Sequence, residues 1–253
     1  MTSRTDAPRS AGIVIIGNEI LCGRTRDTNS HWLSNRLHDL GIQVRCIITI
    51  PDEEDQIIRT VREFSNQHDY VLVTGGIGPT PDDVTRQAVA MAFDTELATD
   101  PDAERVMRER YRDRINSYRL EMARIPRGST LIRNKSFAAP GFQIKNVYVF
   151  PGVPQLLAEM FDQIIPSLET GEFFERRIPA HIPESEFAQI LFSTPQPLGI
   201  SIGSYPTMHE DGSWTVAIIV SGNDALAVDE TAGGIEHQLR ELERSKGIDE
   251  SNR

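Results

Sequence analysis

The stretch Asp69–Phe93, DYVLVTGGIGPTPDDVTRQAVAMAF, decides how the chain is read. It begins as an apolar run, passes three glycines within four residues (Gly75, Gly76 and Gly78), and reaches the pair Asp82–Asp83 just before a helical pattern. A short apolar run closed by glycines suits a buried strand, and the spacing that follows suits a helix over Asp83–Phe93. Glycines let the main chain turn with positive φ and bring N–H groups close to a ligand. A helix starting near Asp83 adds its positive end, worth about 0.3–1 kcal/mol per anionic group. Such a turn suits phosphate, so the neighbouring aspartates need a reason. One of Asp82 and Asp83 can serve as the helix N-cap. A second carboxylate repels the first unless a cation joins them, and Mg²⁺ is held by one or two carboxylates together with substrate phosphates.

Working outward, the same alternation recurs on both sides. Ile13–Ile16, "QVRCIITI" and "YVLVT" read as strands, separated by helical patterns over "DTNSHWLSNRLHDLG" and Glu53–Phe64. "STLIRN" and "NVYVF" read as further strands, and "PGVPQLLAEMFDQIIPSL" opens another helix. Residues 101–125 read as a charged, solvated helical excursion. This repetition implies a mainly parallel sheet covered by helices on both faces, a three-layer α/β/α domain. After "ETGEFF" the order becomes β-α-β-β-α, with a turn at "HEDGS". The expected division is a polar tail over 1–10, an α/β domain over 11–170 and a small α+β domain over 171–253.

Ligands of open parallel sheets sit outside the carboxyl ends of the strands. Here those ends carry Gly17, Asn18 and Glu19; Pro51, Asp52 and Glu53; the Gly75–Asp83 turn; and Pro151–Pro154 with Gly152. Four distant segments would therefore bring glycine backbone and carboxylates to one rim.

Composition narrows the function. The chain has 253 residues and a net charge of −11, with three lysines, at 135, 145 and 246. That balance argues against nucleic acid, which wants a basic face. No apolar run approaches the roughly 18 residues needed to span a bilayer. Cys22 and Cys46 have no metal or redox spacing; with no signal segment, this points to a reducing cytoplasmic location. Cys22 is expected to be a buried small hydrophobe. "TGGIGPT" lacks the Gly-Lys-Ser/Thr of a P-loop, the first strand's turn lacks the dinucleotide glycine pattern, and there is no Gly-x-Ser-x-Gly elbow. The six histidines have no ligand spacing.

Taken together, "GNEILCGRTRDTNS", "TIPDEEDQI", "TGGIGPTPDDVT", "APGF" and "FPGVPQLLAEM" resemble the molybdopterin-binding (MoCF biosynthesis) domain superfamily. The likeness runs over about residues 11–245. Its nearest branches look like the CinA N-terminal domain and the molybdopterin-binding-like domain of FAD synthase. The resemblance implies a site at the strand C-termini and a nucleotide or pterin ligand. In the molybdenum-cofactor branch the matching aspartates, Asp52 and Asp83, support Mg²⁺-dependent adenylylation of molybdopterin. That branch usually has Arg where this chain has Asp82. The Asp-Asp form resembles the CinA and FAD synthase branches, which are similar to pyrophosphatases acting on ADP-ribose or FAD with a divalent metal, Mg²⁺ or a transition metal.

The resulting expectation is a metal-dependent hydrolase of a nucleotide diphosphate linkage. Glu19 and Asp83 hold the cation, assisted by Asp82, and Asp52 orients or deprotonates water. Gly75, Gly76 and Gly78 cradle the diphosphate beside Asn18, while Asn29 and Gly152 line the nucleoside side. The alternatives are a molybdopterin-binding or adenylylating protein and a non-catalytic nucleotide- or pterin-binding module. A homo-oligomer, most simply a dimer, is expected.

Overall fold

The computed structural model describes residues 8–134, 140–209, 212 and 214–247. The N-terminal tail up to residue 7, Ala139 of "APGF" and part of the "HEDGS" turn lie outside the described residues. The chain divides into a unit over Arg9–Thr170 and another from Gly171 onward.

In the first unit the elements are β1 (Ser10–Ile16), α1 (Asn18–Leu21), α2 (Asn29–Asp39), β2 (Gln43–Ile50), α3 (Glu54–Gln67), β3 (Tyr70–Thr74) and α4 (Thr85–Ala92). They continue with β4 (Leu97–Thr99), α5 (Pro101–Tyr111), α6 (Ser117–Glu121), β5 (Arg124–Pro126), β6 (Thr130–Ile132), β7 (Gly141–Ile144), β8 (Val147–Phe150) and α7 (Pro154–Ile164). The main sheet runs β2-β1-β3-β8-β7-β6. Its four strands β2, β1, β3 and β8 are parallel, and β7 and β6 are added antiparallel.

The period of two along a strand explains the three layers. Val14 and Ile16 of β1 pack with Ile57, Val61 and Phe64 of α3 and with Ala88, Val89 and Ala92 of α4. Ile13 and Ile15, on the opposite side, pack with Leu33 and Leu37 of α2 and with Leu157, Phe161 and Ile164 of α7. β1 and β3 are covered on both faces and read as continuous apolar runs for that reason. β2 lies at the sheet edge, where Cys46 and Ile47 are exposed.

The charged excursion is helical, as α5, a 3-10 turn over Arg112–Arg114 and α6. Asp100 caps α5 by accepting the Ala103 N–H at 2.8 Å, and the helix ends where Arg112 takes φ 45°. Ala103 and Met107 are buried with Met122 and Ala123, so this segment has a small core of its own.

The second unit contains β9 (Phe174–Ala180), α8 (Glu184–Ser193), β10 (Ile200–Met208), β11 (Trp214–Gly222) and α9 (Ala225–Ser245). Its antiparallel sheet runs β10-β11-β9. Ile178, Val216, Ile218 and Val220 pack against Phe187 of α8 and Val228, Ile235 and Leu239 of α9. Among the described residues no helix is long and apolar enough to cross a membrane.

Candidate functional site

Because β2, β1, β3 and β8 are parallel neighbours, the turns that leave their carboxyl ends share one rim. Main-chain hydrogen bonds lock these turns together. The Gly17 N–H donates to the Ile50 carbonyl at 3.1 Å, and the Gly75 N–H donates to the Phe150 carbonyl at 3.1 Å. The Asn18 N–H donates to Oδ2 of Asp52 at 2.8 Å, which fixes one oxygen of that carboxylate and leaves the other uncommitted.

The glycine turn owes its shape to missing side chains. Gly75 has φ 108°, and a Cβ there would stand 2.0 Å from the Ile16 carbonyl oxygen. Gly76 has φ 64°, and its Cβ would stand 2.3 Å from Thr85 Oγ1 and 3.5 Å from Asp52 Oδ1. Gly76 therefore faces Asp52, and only the absence of a side chain leaves room between the turn and the helix behind it. Gly152 lies 3.6 Å (from its notional Cβ) from the Gly75 Cα, an ordinary contact.

Asp83 is not the helix cap that its position suggests. α4 begins at Thr85 after Val84 with no side-chain cap. The Asp83 carboxylate reaches back instead, accepting from the Gly78 N–H at 2.7 Å, the Thr80 N–H at 2.8 Å and the Thr80 hydroxyl at 2.5 Å. Asp82 stands outside, exposed.

Sequence reasoning missed Arg86. Its buried guanidinium donates to the Ile77 carbonyl and, at 2.7 Å, to the Gly78 carbonyl, turning both inward. Burial lowers its pKa from the ordinary value, and the Asp83 carboxylate opposes that shift. The available signal was a lone arginine in an Ala/Val helix directly after a glycine turn. Thr74 was missed too, and its hydroxyl donates to the Pro151 carbonyl at 2.9 Å.

Asn29 closes the other side of the rim. Its Nδ2 donates to Thr74 Oγ1 at 3.1 Å and to the Gly152 carbonyl at 2.9 Å, tying α2 to the ends of β3 and β8. It is therefore a clasp between α2 and the sheet. Asp27 has the capping role, accepting the Ser30 N–H at 3.0 Å. A cleft beside this clasp is lined by Ile15, Ile16, Glu19, Ile20, Thr25–Asn29, Thr74, Gly152 and Pro154. Glu19 curls back over Gly17, its oxygens 2.7–2.8 Å from where a Cβ on Gly17 would be. Cys22 is exposed, against the expectation of burial, because the 22–26 connection runs along the surface.

Thus Asn18 and Asp52, Gly76 and Asp52, Gly78 and Asp83, and Asn29 and Gly152 are brought together in pairs. Among the described residues no group of three or more His, Cys, Asp or Glu is spaced to hold a metal ion.

Comparisons with known proteins place the chain in a family. Residues 12–170 match the model of a probable molybdopterin binding domain, and residues 172–245 match a FAD synthase middle domain. A protein of Metallosphaera sedula is 32% identical, with 94% of this chain and 96% of the relative covered. A protein of Pyrobaculum aerophilum is 35% identical over 72% of this chain and 73% of the relative. A probable FAD synthase of Caenorhabditis briggsae is 32% identical over 79% of this chain, which spans 44% of that longer protein. Among solved structures, the CinA protein of Thermoplasma acidophilum, whose function is described as unknown, is 32% identical. It superposes with a TM-score of 0.60 over 63% of this chain and 98% of its own. The chain belongs to the molybdopterin-binding (MoCF biosynthesis) domain family, with a FAD synthase middle domain following in the same chain.

Proposed function

We propose that the chain is a hydrolase of a nucleotide diphosphate linkage, of the kind found in ADP-ribose or FAD, acting with a divalent ion. The observation that carries this reading is the Gly75–Gly78 turn, held by Asp83 and Arg86, standing opposite the uncommitted oxygen of Asp52. The turn's carbonyls at Ile77 and Gly78 are held by Arg86, which removes acceptor oxygens from the path of a phosphate.

A resident ion in a three-carboxylate cage does not fit, because no such group is spaced for it among the described residues and Asp83 already serves three donors. An ion carried in on the diphosphate does fit, since it takes one or two carboxylate oxygens and completes its shell with phosphate and water. Glu19 is the residue that would hold it there, and the ion would neutralise charge on the phosphates. Asp52 Oδ1 orients the attacking water and accepts its proton, a contribution of about 10²–10⁴ in rate. Gly75, Gly76 and Gly78 bring backbone close to the diphosphate, with Asn18 fixing Asp52. Asp83 acts by positioning the turn.

A second reading, binding or adenylylation of molybdopterin, is favoured by the family match over residues 12–170. The test is incubation with ADP-ribose, FAD, NAD, ATP and molybdopterin, each with Mg²⁺, Mn²⁺, Co²⁺ or Ni²⁺, read by mass spectrometry. Release of AMP from ADP-ribose or FAD is the expected result. An adenylylated pterin selects the second reading, and tight binding without any product selects a non-catalytic module.

A further inference from the structure

The cleft beside the glycine turn contains an unanswered acceptor. Asn29 is 7% exposed, and its two donated hydrogen bonds settle which end of its amide is which. Nδ2 is committed to Thr74 and Gly152, so Oδ1 is left as a buried acceptor on a residue that lines the cleft, and it has no partner. A buried acceptor without a donor costs about 1–3 kcal/mol, which a ligand that donates would return.

The lining also carries two carboxylates, of which Asp27 already accepts from Ser30, three hydroxyls (Thr25, Thr28 and Thr74) and one guanidinium. The carboxylates, Glu19 and Asp27, accept only when ionised, and the guanidinium of Arg26 is the one cationic group of the lining. Ile15, Ile16, Ile20 and Pro154 supply apolar surface. A purine would turn several ring acceptors toward these carboxylates. A polyol instead offers a donor on each hydroxyl and a CH face for the isoleucines. Position agrees, because Thr74 of the cleft directly precedes Gly75 of the turn, so the occupant adjoins the diphosphate.

We infer that this cleft is a polyol subsite, in which a hydroxyl of the ribose or ribityl chain next to the diphosphate donates to Oδ1 of Asn29. The inference rests on the diphosphate reading above for what lies beside it, but its own chemistry is binding, not turnover. Oδ1 is sealed from water in this conformation, so its immediate surroundings have to shift as the ligand enters.

The test is calorimetric binding with Mg²⁺ present, using products that the proposed reaction cannot cleave further. AMP is compared with 2′-deoxy-, 3′-deoxy- and 2′,3′-dideoxy-AMP, and FMN with a flavin phosphate whose side chain is an unhydroxylated pentyl group. Losing the hydroxyl that meets Asn29 is expected to weaken binding about 10-fold or more. The affected series tells ribose from ribityl. In Asn29→Leu, checked for folding by its melting curve, AMP or FMN should already be weakened and the deoxy analogue should lose little more. If that variant does not fold, the ligand series alone decides. Equal binding of hydroxylated and deoxy ligands overturns the inference, as does failure of both series to bind. So does a loss seen only with purine riboside monophosphate, which lacks the adenine amine. Hydroxyl-dependent binding without any turnover of ADP-ribose or FAD would leave the subsite standing and remove only the hydrolase.

Discussion

The backbone N–H of Asn18 and Oδ2 of Asp52 are 2.8 Å apart, so the turn after β1 holds the carboxylate that follows β2. Only Oδ1 is left to meet a ligand, and it faces Gly76. Asp52→Asn preserves an oxygen for Asn18 while removing the base. Turnover of the diphosphate substrate is expected to fall about 10²–10⁴-fold with an unchanged melting temperature. Asp52→Ala should lose activity and also about 1–2 kcal/mol of stability, read by urea titration, because the Asn18 N–H loses its acceptor.

Asp83 acts through the turn, and its variants should show that. Asn supplies one carbonyl oxygen where the carboxylate serves Gly78 through one oxygen and Thr80 through the other. Asp83→Asn is expected to raise hydrogen exchange at Gly78 and Thr80 and to weaken ligand binding along with turnover. Asp83→Ala should go further, losing about 1–3 kcal/mol of stability. Normal exchange protection in both variants would contradict the positioning role.

The glycines of the rim are not equivalent. Gly75→Ala forces a side chain at φ 108° into the Ile16 carbonyl and should cost about 2–4 kcal/mol. Gly152→Ala meets only an ordinary 3.6 Å contact and should stay within about 1 kcal/mol of the parent. Parallel thermal and urea unfolding would rank them.

His68 gives the fold a pH dependence on the acid side. Its ring lies edge-to-face against Phe64, at 5.2 Å between centroids, over Gly12, and neither ring nitrogen has a partner. Burial lowers its pKa from 6.5; Asp69 opposes that shift and Arg45 adds to it. The unfolded chain therefore binds the proton more readily, so this contribution is complete above about pH 6.5 and is lost as pH falls toward the folded value. Asp69 adds a second loss at lower pH. Burial raises its carboxyl, but donors from Ser10 and Arg9 outweigh that and hold it below its usual value. His68→Phe should flatten the decline in urea midpoint between pH 7.5 and 5.5 while leaving the steeper loss near pH 4.

The rim was legible in the sequence because glycine, proline and aspartate interrupt apolar strands at the same end of each. The longer main-sheet strands were legible too, since a run such as Tyr70–Thr74 has no polar position before its final Thr to confuse its period. The four-residue β7 escaped notice, being too short to establish a period before Lys145 and Asn146 turn the chain back. Asp83 looked like a cap because capping is judged by distance along the chain, whereas its side chain follows a loop that doubles back. Asn29 is visible in the sequence as a rim residue, but its clasp involves Thr74 and Gly152, which lie 45 and 123 residues away.

Arg86 has a consequence beyond the rim itself. Past Gly75, whose N–H is held by Phe150, the anchors of the glycine turn come from within Gly76–Arg86: Gly76 to Thr85, Gly78 and Thr80 to Asp83, Ile77 and Gly78 to Arg86. A contiguous peptide thus carries its own scaffolding. A chimaera that transplants this segment whole should retain its shape where one that divides it at Pro81 would not.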